Sequence, residues 1–80
     1  MDNIKDKPVI VTIVDRVKNI EKKQDDRYEV TFIYLSTRYY LSSKRKKSLR
    51  LLQESKAKEI PVKVKSKGKT REIIEVEVAS

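Results

Sequence analysis

The sequence predicts a small, mostly β domain with one helix and the element order β-β-β-α-β-β. Three observations carry that expectation. Val and Ile crowd into short stretches separated by polar turns, as strands require. One stretch alone, around Leu49, Leu51 and Leu52, sets apolar residues among good helix formers. Finally, 80 residues with 38% hydrophobic content, one Gly and two Pro suit a single folded domain. Its core is thin, since a chain this short buries only about 60–65% of its unfolded surface.

Residues 8–18 read as a first strand built on Val9, Ile10, Val11, Ile13, Val14 and Val17. Apolar residues take both parities in its first half, and Asp15, Arg16 and Lys18 wet the second, the pattern of a long curved strand. Residues 19–27 form a polar turn. In the second strand, 28–35, Tyr28, Val30, Phe32 and Tyr34 share one face and Glu29, Thr31, Ile33 and Leu35 the other. A two-residue turn at Ser36-Thr37 leads into a third strand, Arg38 to Leu41, pairing Tyr34 with Tyr39, Ile33 with Tyr40 and Phe32 with Leu41. Val30, Phe32, Tyr34, Tyr39 and Leu41 then form the core face. Ser-Thr is a poor primed-turn sequence, so the alternative is one long bent strand over 28–41.

Charge decides where the helix begins. A cap at Ser43 would put Lys44-Arg45-Lys46-Lys47 in the first turn, each cation unfavourable by roughly 0.3–1 kcal/mol against the positive end of the helix dipole. A cap at Ser48 leaves them in the preceding loop. The expected helix therefore runs from Ser48 to the region of Ser55–Lys58, and Pro61 forbids more. Ile60, Val62 and Val64 alternate as a fourth strand, and Ile74, Val76 and Val78 as a fifth. A loop of Gly68-Lys69-Thr70 would match Val64 with Ile74, Val62 with Val76 and Lys63 with Glu75. The expected organisation is a tail over 1–7 and one barrel domain over 8–79. This element order suits a small five-stranded Greek-key barrel with a helix plugging one end, the OB-fold arrangement. An SH3-like barrel or an open α+β sheet also accommodates it.

Charge is laid unevenly along the chain. Residues 1–37 hold seven basic and seven acidic side chains, residues 38–71 hold thirteen basic and two acidic, and residues 72–80 hold three acidic. The net charge of +8 is thus concentrated in the second half, which favours an anionic partner. With no Cys and no His, thiol nucleophiles, imidazole acid–base groups and Cys/His metal sites are excluded. There is no Gly-rich phosphate loop, Asp25-Asp26 read as turn formers, and Ser42, Ser43 and Ser48 read as caps, so no enzyme, catalytic residue, metal or cofactor is expected. The longest apolar run, Val9 to Val14, is far short of the roughly 20 residues of a membrane helix. Cytoplasmic placement is the expectation.

Two basic sets are candidate phosphate contacts. Lys44, Arg45, Lys46 and Lys47, extended by Arg50, are adjacent cations that repel one another until an anion neutralises them; the plainer account is solubility. Lys67 and Lys69 sit near the last hairpin loop, whereas Lys63 and Lys65 serve equally well as edge protection. All five aromatics fall within residues 28–40. Tyr39 and Tyr40 are adjacent on a strand, so one must face outward. With Tyr39 inside, Arg38 and Tyr40 share the outer face with Ile33 and Leu35, a cation and a ring suited to a phosphate and a base.

The function expected is a small basic module binding nucleic acid, single-stranded DNA or RNA before duplex, with Lys and Arg on phosphates and strand aromatics stacking on bases. The alternative is a protein-interaction or assembly module, a homodimer for instance, using the Ile33, Leu35 and Tyr40 strip. Membrane adsorption is not expected, because no cationic helix carries a broad apolar face.

Overall fold

A computed structural model describes residues 9–79; the expected tail, residues 1–7, lies outside the described residues. In chain order the elements are β1 (Ile10–Asp15), β2 (Val17–Lys22), β3 (Arg27–Phe32), β4 (Tyr39–Ser42), α1 (Lys46–Lys58), β5 (Val62–Lys67) and β6 (Ile73–Val78). The chain is mostly β with one helix, but the expected five-stranded barrel is not formed. The strands make two three-stranded antiparallel sheets, β1-β5-β6 and β2-β3-β4, neither closed into a barrel. Among the described residues the sheets are joined by one parallel bridge, Tyr40 to Glu72, where the Tyr40 N–H donates to the Arg71 carbonyl at 3.0 Å. β4 is only four residues long, and its edge away from β3 meets the start of β6 at that bridge without extending into a ladder.

The expected first strand is two strands, joined at Arg16 and shared between the sheets. Asp15 makes that junction. Its side chain is buried and accepts the backbone N–H groups of Arg16 at 2.7 Å, Tyr34 at 3.0 Å and Leu35 at 3.1 Å. The Arg16 carbonyl accepts the Ile33 N–H at 3.0 Å. These bonds hold residues 33–35 on the junction and away from β4. The expected Ser36-Thr37 hairpin is therefore replaced by a longer connection, and Tyr39 faces Val30 rather than Tyr34. The slip is an even number of residues, so faces are preserved. Val30, Phe32, Tyr39 and Leu41 are buried as expected, while Tyr34 is 77% exposed.

The other hairpins differ from expectation for local reasons. β2 runs through Lys22, pairing Ile20 with Val30 and Lys22 with Tyr28, so the expected polar turn over 19–27 shrinks to residues 23–26. Asp26 takes the left-handed conformation there (φ 58°), and the Lys23 N–H donates to the Arg27 carbonyl. β5 and β6 pair Val64 with Val76 and Lys65 with Glu75. A bulge at Lys65/Ser66 then turns Ile73, not Ile74, into the core. The connecting turn closes through the Arg71 N–H on the Lys67 carbonyl, with Arg71 left-handed (φ 60°).

α1 begins before the expected Ser48 cap. Its N-cap is Arg45, with no side-chain cap, and Lys46 and Lys47 occupy a first turn that contains no acidic residue. The chain turns immediately on leaving β4: the Arg45 N–H donates to the Ser42 carbonyl at 3.0 Å and the Lys44 N–H to Ser42 Oγ at 3.2 Å. The helix places Leu52 in the core, with Leu49 and Leu51 packed at its margin; burying one such side chain, worth about 1.5–3 kcal/mol, at least matches the dipole conflict of two cations, about 0.6–2 kcal/mol. The helix lies against β2, β5 and β6, across both sheets. Buried Ser55 fastens it: its hydroxyl accepts the Val17 N–H at 3.1 Å and donates to the Ile60 carbonyl at 2.5 Å.

The helix stops at Glu59, which is left-handed (φ 57°) and donates its N–H to the Ser55 carbonyl. A side chain with a Cβ is disfavoured in that conformation. Its ion pair with Arg16, at 3.6 Å, is solvent-exposed and contributes little. Glu59→Gly should therefore stabilise the fold by about 1 kcal/mol, measured as a rise in the urea midpoint; a fall would show that the Arg16 contact outweighs the backbone strain.

Candidate functional site

Strand alternation builds the site on the outer face of the β2-β3-β4 sheet. In β3, Val30 and Phe32 point to the core, so Arg27, Glu29 and Thr31 point away from it. In β4, Tyr39 and Leu41 are buried and Tyr40 and Ser42 face outward. Register sets Glu29 opposite Tyr40 and Arg27 opposite Ser42. The Arg27 guanidinium lies 4.8 Å from the centroid of the Tyr40 ring, and its Nε is 2.8 Å from Asp25 Oδ2.

Two open grooves adjoin at this pair. One, of about 620 Å³, runs along the β2–β3 turn between Lys22, Lys23, Gln24, Asp25 and Glu29. The other, of about 260 Å³, runs between Ser42 and the β5–β6 turn, lined by Thr70 and Glu72. Arg27 and Tyr40 line both. The β5–β6 turn is positioned by the Tyr40–Arg71 backbone bond, and the β2–β3 turn by the Ser43 N–H, which donates to the Asp26 carbonyl at 3.0 Å. Charge within the grooves is mixed. The Glu29 side chain, 12% exposed, lies between Lys23 Nζ at 3.7 Å and Arg38 Nη1 at 3.8 Å, and Glu72 pairs with Lys67 Nζ at 3.4 Å.

Of the residues singled out in the sequence, Tyr40 is in the groove wall and Arg38 reaches its rim through Glu29. Lys44, Arg45, Lys46 and Lys47 are exposed at the β4–α1 corner beyond Ser42, with Arg45 Nη1 donating to the Ile74 carbonyl at 3.2 Å. Lys69 is exposed in the β5–β6 turn beside Thr70, and Lys67 is held by Glu72. Arg50 is exposed on α1, outside the residues lining either groove. The strip of Ile33, Leu35 and Tyr40 is not assembled. Leu35 packs on the core, the Ile33 backbone is bonded at the Arg16 junction, and Tyr40 faces Glu29. Tyr34 instead stands exposed beside Arg16, whose Nη2 donates to its hydroxyl at 3.4 Å.

Lys22, Lys23, Arg27 and Glu29 were not among the expected site residues, because they belong to the charge-balanced half of the chain. The signal was parity: with Tyr28, Val30 and Phe32 inward, Arg27 and Glu29 must share the outer face with Tyr40. Among the described residues, no group of three or more His, Cys, Asp or Glu side chains is arranged to hold a metal ion. No helix among them is long and apolar enough to cross a membrane.

No family model matches this chain, and no curated protein matches it. Among solved structures, a crystal structure of pro-protein-glutaminase is similar, with a TM-score of 0.75 at 22% identity over 84% of this chain and 24% of that one. The chain spans about a quarter of that enzyme's length, and the likeness shows the fold alone.

Proposed function

We propose that the chain is a nucleic-acid-binding module that favours single strands. The observation that carries this reading is the outward ring of Tyr40, set where two grooves meet with Arg27 over its face. A base stacking on the ring displaces Arg27, which then closes over the base's other face. Releasing the exposed Arg27 contacts costs about 1–2 kcal/mol. Base–aromatic stacking returns about 1–3 kcal/mol, and the guanidinium plane adds to it. Phosphates leave the groove toward Lys22 and Lys23 at one end and toward Lys44, Arg45, Lys46, Lys47 and Lys69 at the other. A duplex keeps its bases stacked on one another and offers the ring nothing.

Titration of labelled single- and double-stranded oligonucleotides at several salt concentrations tests the proposal. With about four to six phosphate contacts, log affinity for single strands should fall against log salt with a slope near −3 to −4. Tight binding with a slope near zero would remove the electrostatic mechanism. Lys46→Glu with Lys47→Glu should weaken all sequences about equally while raising stability by about 0.3–1 kcal/mol per site, because the new carboxylates face the helix N-terminus. Unaltered binding would reassign the two lysines to solubility.

The pro-protein-glutaminase likeness supports the fold, and we extend no catalytic role from it to a chain without Cys or His. A protein-assembly role has one observation in its favour. β1 is a sheet edge with Ile10 44%, Val11 36% and Val14 59% exposed, and edges are usually guarded by charge. Gel filtration against concentration separates the two readings: an assembly module grows with concentration, and a monomer does not.

A further inference from the structure

The groove that would take a base has a carboxylate in its wall, and a carboxylate repels phosphate. Glu29 is the cross-strand neighbour of Tyr40, so its side chain stands about 5 Å from the ring's own Cβ position. It is 12% exposed, and its two cationic neighbours lie beyond hydrogen-bond distance, at 3.7 and 3.8 Å. A largely covered carboxylate accepts hydrogen bonds only and requires donors. Lys23 Nζ faces its Oε1 and Arg38 Nη1 its Oε2, so the carboxylate is held from two sides by ion pairs, neither of which is a hydrogen bond.

Resting on the single-strand reading, we propose that Tyr40 and Glu29 together form a guanine site. Guanine alone among the common bases presents two adjacent in-plane donors, N1–H and the 2-amino group, which match the two carboxylate oxygens. Adenine and cytosine offer one amine beside an acceptor nitrogen. Thymine and uracil offer one N–H between two carbonyls, which the carboxylate repels. The ring supplies stacking that every base accepts, and Glu29 supplies the discrimination.

The experiment uses fluorescence anisotropy on the full chain with three single strands of equal length at one salt concentration. They alternate guanine with thymine, alternate hypoxanthine with thymine, or contain thymine only. Hypoxanthine keeps the purine shape and N1–H and lacks the 2-amino group. The guanine strand should bind roughly tenfold tighter than either of the others, the size of discrimination a bidentate pair gives. Glu29→Gln, with circular dichroism matching the wild type, should level the three strands and leave the thymine strand bound as well or better, since a negative charge is gone. Equal wild-type binding of all three strands would overturn the guanine site and leave the single-strand module standing. A guanine preference that survives Glu29→Gln would overturn the role of Glu29. Binding to none of the strands would overturn the single-strand reading, and the guanine site with it.

Discussion

Asp15→Ala should destabilise the protein by about 3–5 kcal/mol, a large share of the roughly 5–15 kcal/mol available to a small domain. The carboxylate is buried and satisfies the backbone donors of Arg16, Tyr34 and Leu35. Alanine would leave those part-buried N–H groups without their acceptor, and each bond to a charged acceptor contributes about 1.5–3 kcal/mol. Asp15→Asn keeps one acceptor oxygen and should recover part of the loss. Urea denaturation of the three proteins decides it. A wild-type midpoint for the alanine variant would mean that packing alone holds the junction.

Tyr39→Ala should cost about 3–5 kcal/mol, because the ring is buried and meets Phe32 edge to face at 5.4 Å. Tyr40→Ala, one residue on, should cost far less stability but lose about 1–3 kcal/mol of single-strand affinity. Thermal melts and oligonucleotide titrations of both variants give the comparison. A destabilising Tyr40→Ala beside a silent Tyr39→Ala would mean that β4 presents its opposite face. If both variants retain full binding, the lysines carry the affinity and stacking is not the mechanism.

In β3, β4 and β5 parity was legible in the sequence and register was not, for one physical reason; in β6 the bulge opposite Lys65/Ser66 broke parity too. Parity is local: Val30 and Phe32, Tyr39 and Leu41, and Val62 and Val64 alternate within their own strands, and all six are buried. Register in the β3–β4 pair depends on Asp15, distant in sequence, capturing the N–H groups of Tyr34 and Leu35. Nothing near Tyr34 announces that capture. Left-handed backbone was equally hidden, since Asp26, Glu59 and Arg71 adopt it where glycine is the usual signal. The helix start differs because the cation–dipole conflict at Lys46 and Lys47 predicts a later cap, whereas the chain turns at once on Ser42, whose carbonyl and hydroxyl accept the Arg45 and Lys44 N–H groups. At the site, Tyr40 followed from strand alternation, but Arg27 and Glu29 became its neighbours only once the register was known.

Chain order has a consequence for how the two sheets come into being. β2, β3 and β4 follow one another directly in the chain, so each ladder of the sheet bearing the aromatic groove joins consecutive strands. β1 precedes them, yet its ladder partner β5 arrives only after α1. Until then its Val and Ile side chains have no strand beside them, and closing so long a loop costs entropy before any contact returns it. The docking of β1 on β5 should therefore come late in folding, and a chain delayed there exposes a bare apolar strand to its neighbours. Aggregation during synthesis would begin at Ile10–Asp15, while the wall of the groove that Thr70 and Glu72 supply is still missing.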